Sequence, residues 1–514
     1  VPTWARRTLI GGGALLGVCA VILGAVAGYG LYLNHRVHRV AVHGLTGSLT
    51  SGQESGTENI LLVGSTSRCA LKVQNPAYGL CSQGVTGVNS DVTMLLHLNR
   101  ATRTVSLLSI PRDTFVPNAR KEGANKIDAA LAEGPAQLVA AIQQDYGIPI
   151  QHYVELNFDT FAGVVDALGG VKLNFPEPVF DAESGLNVPT AGCLDLNGTR
   201  ALQVVRARHL QYKPPTVTSS NHATWPQETE SDLARIRRTH EFLRVLAGAV
   251  AQRGLSNPLT DQRIAAAVAP QLQVDAGLNL SALVDLLLTF HSVDINAAPQ
   301  LTAPVVPTTF GSYIYRGGDY GDIVWPSQPQ DQQVVDQFLG ISPGTDPLTG
   351  RPLPQPADIT VSVTNGSGQA RQGSRVADAL TELGVTVTGT STAAPVAKQS
   401  ETVVYYASPA QEPAAQRVLQ TLSGWATLGM DPSKVTPGAD VTVVTGTDVT
   451  VPTATSGSTP APTTTRSPAA TPTAAASPGT PAVQSQAQAP TPSVEPLQPW
   501  DPRGCLATTG TPAP

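Results

Sequence analysis

Residues 9–33 form an unbroken hydrophobic run of 25 positions without a charge. As a helix this run is about 37 Å long, more than the roughly 30 Å of a bilayer's hydrocarbon core. It also exceeds the roughly 7–15 apolar residues of a cleaved signal peptide. The pattern predicts an uncleaved transmembrane helix, with residues 1–8 as a short cytoplasmic end and 34–57 as a spacer rich in Gly, Ser and Thr. Beyond residue 57 the pattern changes. Residues 59–63, 91–98, 103–110 and 152–157 read as strands, and 128–146, 158–168, 198–208, 231–250 and 280–290 as helices. Alternation of this kind predicts an α/β fold over 58–340: a layered α-β-α core with a mixed central sheet.

Five prolines mark residues 341–357 as a linker. A second compact pattern follows at 358–447: strand 359–363, helix 375–383, strands 385–389 and 402–406, helix 410–422, strand 441–444. That βαββαβ order predicts a small α+β domain without visible catalytic groups, read as a binding module. From residue 448 the chain is rich in Pro, Thr and Ala. Its stretch 451–514 carries 14 prolines and only four charges, so it cannot bury a core and reads as a disordered, wall-traversing tail. Arg6 and Arg7 balance Arg36 and Arg39 across the apolar run, leaving the positive-inside rule tied. The tail breaks the tie and predicts a single-pass membrane protein, N-terminus cytoplasmic, with everything after the helix facing outward.

A net charge of −6 removes the global basic field that nucleic-acid binding needs. The phosphate-loop, nucleophile-elbow and zinc-protease motifs are absent, and no cysteine or histidine spacing suits zinc. Cys69 and Cys81 share a loop that lies outside the membrane on this reading, so they are expected to form a disulfide worth about 3 kcal/mol.

Arginine is the unusual residue: 25 against 7 lysines, with seven arginines between Arg200 and Arg244. On a helix starting at Asp232, positions Ile236, Thr239, Leu243 and Leu246 fall within about 40° of it and define a core stripe. Arg235 borders that stripe and Arg238 lies farther round, whereas Arg237, Glu241 and Arg244 read as a solvated face. Charges facing a core must be paired or bind something. Arg206 and Arg208 end another helix, and Arg112 and Asp113 follow a strand end, where α/β folds place ligands. Converging guanidinium forks suit a diphosphate, and Asp91, opening the preceding strand, suits a Mg²⁺ carboxylate.

These residues sit in NILLVGSTSR (59–68), NSDVTMLLHLN (89–99), VSLLSIPRDTFV (105–116), NKIDAALAEG (125–134), LDLNGTRALQVVRARH (194–209) and SDLARIRRTHEFL (231–243). Together they resemble the LytR-CpsA-Psr family of cell-wall ligases, and 358–447 resembles the C-terminal domain often attached to it. The resemblance implies a membrane-anchored phosphotransferase. It would move a phosphorylated glycopolymer from a polyprenyl diphosphate carrier to a peptidoglycan hydroxyl, usually with Mg²⁺. Carried over residue by residue, Arg112, Arg206, Arg208 and Arg235 would grip the diphosphate, with Arg68 and Arg238 helping. Asp91 would be the metal ligand, and Asp113 and Asp232 would orient arginines. The tail and the Arg:Lys ratio suggest an actinobacterial source, for which the polymer would be arabinogalactan.

Two positions depart from the family pattern. Thr66 stands where members commonly have Asp, and Thr239-His240 replaces the usual Gln pair. His240 is either a substitute base or a helix-flank residue. The rival functions are a hydrolase acting on the same lipid diphosphate and a non-catalytic lipid- or wall-binding anchor.

Overall fold

The computed structural model describes residues 37–46, 56–65, 80–83, 87–228, 273–279, 299–303, 305–307, 312–392 and 399–451, with single positions between 234 and 293. The expected membrane helix, the tail beyond 451, Thr66, Arg68, Cys69, Asp232, Arg237, His240 and Arg244 lie outside the described residues.

The core is a mixed seven-stranded sheet. Its order is His38–Val40, Gln273–Asp275, His152–Asn157, Thr57–Ser65, Ser90–Asn99, Thr104–Ile110 and Gln300–Thr302. Thr57–Ser65 is central, running parallel to His152–Asn157 and antiparallel to Ser90–Asn99. Its alternation serves two faces at once. Leu61 and Val63 join Leu95, Leu108 and Ile110 beneath the helices Pro135–Tyr146 and Gln330–Leu339. Ile60 and Leu62 point the other way, to a second cluster with Leu96, Leu98 and Val154. Helices on both faces give the layered α-β-α arrangement.

Four expectations need correction. Residues 128–146 are not one helix: a 3₁₀ segment, Ile127–Glu133, ends at Gly134 (φ 104°), and Pro135 opens the α-helix. Proline at the first turn suits a new helix but cannot continue an old one. Glu241 is buried at 5% exposure rather than solvated. Ala234, Arg235, Ile236, Arg238, Thr239 and Phe242 are buried as well, so this helix is covered on more than one face. The second domain holds an additional strand, Ser423–Met430, and Val449–Thr450 pairs with it, so ordered structure runs past residue 448. Finally, the 341–357 segment is packed, with Asp346 and Leu353 buried and Arg417 donating to the Pro354 carbonyl.

The second sheet runs Val305–Pro307, Val324–Gln328, Ser423–Met430, Thr402–Tyr406, Val441–Thr445, Thr360–Asn365 and Thr386–Thr392. Its first two strands come from the 58–340 region, so the two units share hydrogen bonds along Val324–Gln328 and Ser423–Met430.

Candidate functional site

The charged residues meet where three chain segments end together. Asp91 is the second residue of Ser90–Asn99, and Arg112 and Asp113 follow Thr104–Ile110, its antiparallel neighbour. Arg112 Nη1 donates to Asp91 Oδ1 at 2.7 Å. Arg235 reaches the same residue from the helix above and donates to the Asp91 carbonyl at 2.8 Å. A guanidinium 4% exposed is thereby tied to the strand that carries the candidate metal ligand.

Asp113 collects cations. Its Oδ1 accepts from Lys126 Nζ at 2.8 Å, and its Oδ2 faces Arg112 Nε at 3.4 Å and Arg208 Nη2 at 3.5 Å. Burial pushes its proton affinity up, but Arg112, the Lys126 bond and Arg208 together hold the carboxyl below the ordinary carboxylate range. Asp113 thus has three cationic side chains around it, Lys126, Arg112 and Arg208.

The Arg206–Arg208 corner is fixed from below. Asn197 caps the helix Gly198–Arg206 by accepting from the Arg200 N–H, and Arg206 closes its last turn. The chain then turns, and buried Asp181 accepts from the Arg208 and His209 N–H groups at 2.9 and 2.8 Å. Arg238 is not held toward the other arginines by Asp113. It pairs with Glu228 and donates to the Ala207 carbonyl, so it braces the same corner.

Two further residues, Lys126 and Asp128 of NKIDAALAEG, join the site. Lys126 closes the Gly123–Lys126 strand and binds Asp113. Asp128 begins the following 3₁₀ turn, its N–H donating to the Arg112 carbonyl. Burial, with Asp113 and Asp91 adding and Arg112 and Lys126 opposing, pushes its carboxyl up to about 6. No local pattern marks these two residues; the fold alone brings this turn back against the Arg112 backbone.

Beside the charges opens an apolar cleft of about 740 Å³ between sheet and helices. Leu62, Val92, Met94, Phe161, Leu202 and Val205 line it, and Asp91, Arg206 and Arg235 stand in the same wall. The arrangement is amphiphilic, an arginine-rich rim on an apolar slot.

The donor set gives a limited fit for a metal ion. Among the described residues no group of three His, Cys, Asp or Glu side chains converges, and Asp91 already accepts from Arg112. One carboxylate suits Mg²⁺ only when substrate phosphate oxygens and water complete its shell. Cys81 is disulfide-bonded, as is Cys193; the expected partner Cys69 lies outside the described residues.

Residues 34–323 match the model of the LytR_cpsA_psr family, and 358–448 match that of the LytR cell envelope-related transcriptional attenuator domain. The chain belongs to the LytR-CpsA-Psr family and carries the LytR C-terminal domain. Among its relatives is the probable cell wall biosynthesis protein LcpB of Corynebacterium glutamicum, 37% identical over 38% of this chain and 46% of that protein. LcpA of the same organism, a cell wall biosynthesis protein, is 26% identical over 66% of this chain and 67% of its own. The polyisoprenyl-teichoic acid–peptidoglycan teichoic acid transferase TagU of Halalkalibacterium halodurans is 31% identical over 33% of this chain and 54% of its own. The match thus spans about half the length of LcpB and of TagU. Among solved structures, a LytR-Csp2A-Psr enzyme from Actinomyces oris aligns with 60% of this chain and 97% of its own at 26% identity and a TM-score of 0.44.

Proposed function

We propose that this chain is a glycopolymer–peptidoglycan phosphotransferase of the cell envelope. The observation that carries the reading is the shared wall of the cleft, where Arg206, Arg235 and Asp91 line the same cavity as Leu62, Met94 and Phe161. A polyprenyl diphosphate has the matching chemistry, an anionic head on an apolar chain. The tail would lie in the slot, and Arg112, Arg206, Arg208 and Arg235 would grip the diphosphate, helped by Arg68.

In this reading a peptidoglycan hydroxyl attacks the glycan-side phosphorus. A new O–P bond forms, the bridging P–O bond breaks, polyprenyl phosphate leaves with the electron pair, and the hydroxyl's proton passes to the departing phosphate or to water. Charge develops on phosphate oxygens, so oriented guanidinium groups contribute most of the stabilisation. Asp113 keeps Arg112, Arg208 and Lys126 oriented, and Asp232 would do the same for its neighbours. Mg²⁺ bound at Asp91 would supply further charge neutralisation. Arabinogalactan is the polymer proposed, and single-pass anchoring by residues 9–33 with the domains outside the cytoplasmic membrane is the proposed setting. The Cys69–Cys81 disulfide belongs to the same setting.

The test incubates the full chain in detergent micelles with a lipid-diphosphate-linked glycan, with and without peptidoglycan. Transfer supports the reading. Release of free glycan phosphate at equal rates with and without acceptor identifies a hydrolase, and binding without turnover identifies an anchor.

A further inference from the structure

The second domain is seated on the core through acids. Asp145 lies in the last turn of the helix Pro135–Tyr146, and its carbonyl accepts from Thr427 Oγ1 at 3.0 Å, across the seam. Its carboxylate accepts from the Asn118 N–H, and the Asn118 side chain exchanges two hydrogen bonds with the Met430 backbone, at 2.9 and 3.0 Å. Tyr406 donates to the Gln144 carbonyl at 3.1 Å. Glu401 leads into the strand Thr402–Tyr406, and Glu412 opens the helix Glu412–Leu419. Gly147, in left-handed conformation at φ +67°, is where that helix touches the core. A Cβ there would collide with the side chains of Gln416 and Glu412.

These acids are sealed in: Asp145 is 2% exposed, Glu401 4% and Glu412 1%. Asp145 Oδ1 and Glu401 Oε1 have no hydrogen-bond partner among the described residues. The charged groups facing them are acids too: Glu401 and Asp145 face each other, and Asp346 faces Glu412. Asp331 of the helix Gln330–Leu339 approaches from the core, against Tyr146. The remaining titratable neighbours are tyrosines, Tyr313, Tyr315, Tyr405 and Tyr406, with Asp431 beyond Tyr405. Arg120, on the adjoining strand Phe115–Arg120, is engaged with Glu133 at 3.6 Å. Among the described residues no cation is found within the groups that act on the three seam acids. An ionised carboxylate in such surroundings is strongly disfavoured, so the acid keeps its proton.

We propose that Asp145, Glu401 and Glu412 form a proton-held latch: protonated, they let the second domain dock on the core, and their ionisation loosens it. Burial raises the proton affinity of all three, Glu412 to about 8. Folded groups shifted upward stabilise fully below the unfolded value, about 4, and lose that contribution as pH rises toward the folded value. The share of Glu412 in docking is therefore firm in acid and weakens toward pH 8, and ionisation of Asp145 or Glu401 acts in the same direction. The latch lies one strand from the arginine site. Val324 belongs to the strand that receives the second domain, and its N–H donates to the Asp113 carbonyl at 3.0 Å.

Hydrogen exchange of the full chain in micelles, expressed as protection factors at pH 5 and pH 8.5, tests the latch. Amides of Ser423–Met430 and Glu412–Leu419 are expected to lose at least tenfold protection at the higher pH, while Thr57–Ser65 does not. Glu412→Gln and, separately, Glu401→Gln should each lose less protection at pH 8.5 than the natural chain. Whichever variant folds decides the matter: a pH-independent seam in the natural chain, or an unchanged loss in that variant, overturns the latch.

Discussion

Replacing Asp113 by Asn tests whether the site works through oriented cations. The substitution keeps the shape and removes one negative charge from among Lys126, Arg112 and Arg208, at 2.8, 3.4 and 3.5 Å. The Lys126 contact is a true charge-assisted hydrogen bond, whereas the other two exceed ordinary hydrogen-bond length. Asn can retain one accepting oxygen, but its amide then turns a donor toward the remaining cations. The structural loss is about 1.5–3 kcal/mol, the usual worth of a hydrogen bond to a charged group. Two effects on catalysis then separate. Removing an anion strengthens attraction for a diphosphate, so KM should stay level or fall. Losing the orientation of Arg112 and Arg208 should lower kcat by roughly ten- to a hundredfold, the rate equivalent of that loss. The assay is initial transfer rate against lipid-diphosphate concentration, beside melting curves showing that the variant folds. The pH behaviour adds a signed check. Because the folded proton affinity of Asp113 is depressed, its stabilising contribution is present above the unfolded value, about 4, and is lost as pH falls further. The natural chain should therefore lose more stability than the variant between pH 5 and 3. A raised KM with unchanged kcat would refute the reasoning.

Arg235→Lys retains charge but loses the fork that reaches the Asp91 carbonyl, so transfer should fall about tenfold or more, measured as initial rate in folded protein. Leu202→Trp should fill the apolar slot, abolishing use of long polyprenyl donors while sparing donors with short tails; equal loss for both would place the lipid elsewhere. Thr66→Asp should tighten Mg²⁺ binding to the protein without donor, read by calorimetry, because it restores the carboxylate that the family pattern carries at this position. Weaker or unchanged binding would move the metal away from Asp91.

The sequence alone determined the class of fold and most of the charged constellation. The short apolar runs at 59–63 and 91–98, bounded by turn-type residues, read as strands covered on both faces. Arg112 and Arg206–Arg208 were legible because strand and helix ends are local features, and Arg235 because helical spacing puts it beside apolar positions. Tertiary structure decided what local pattern cannot carry. Glu241 looked solvated on its own helix, and only neighbouring layers bury it. Lys126 and Asp128 gain their roles from a turn that returns beneath Arg112, across a short stretch whose composition is unremarkable. The strand Ser423–Met430 lacks strong alternation and depends on partners from three segments, Thr402–Tyr406, Val324–Gln328 and Val449–Thr450. Asp145, Glu401 and Glu412 are ordinary surface-type acids in the sequence. Their burial exists only because two domains share a sheet, and desolvation is a property of the assembled seam, not of any residue in it.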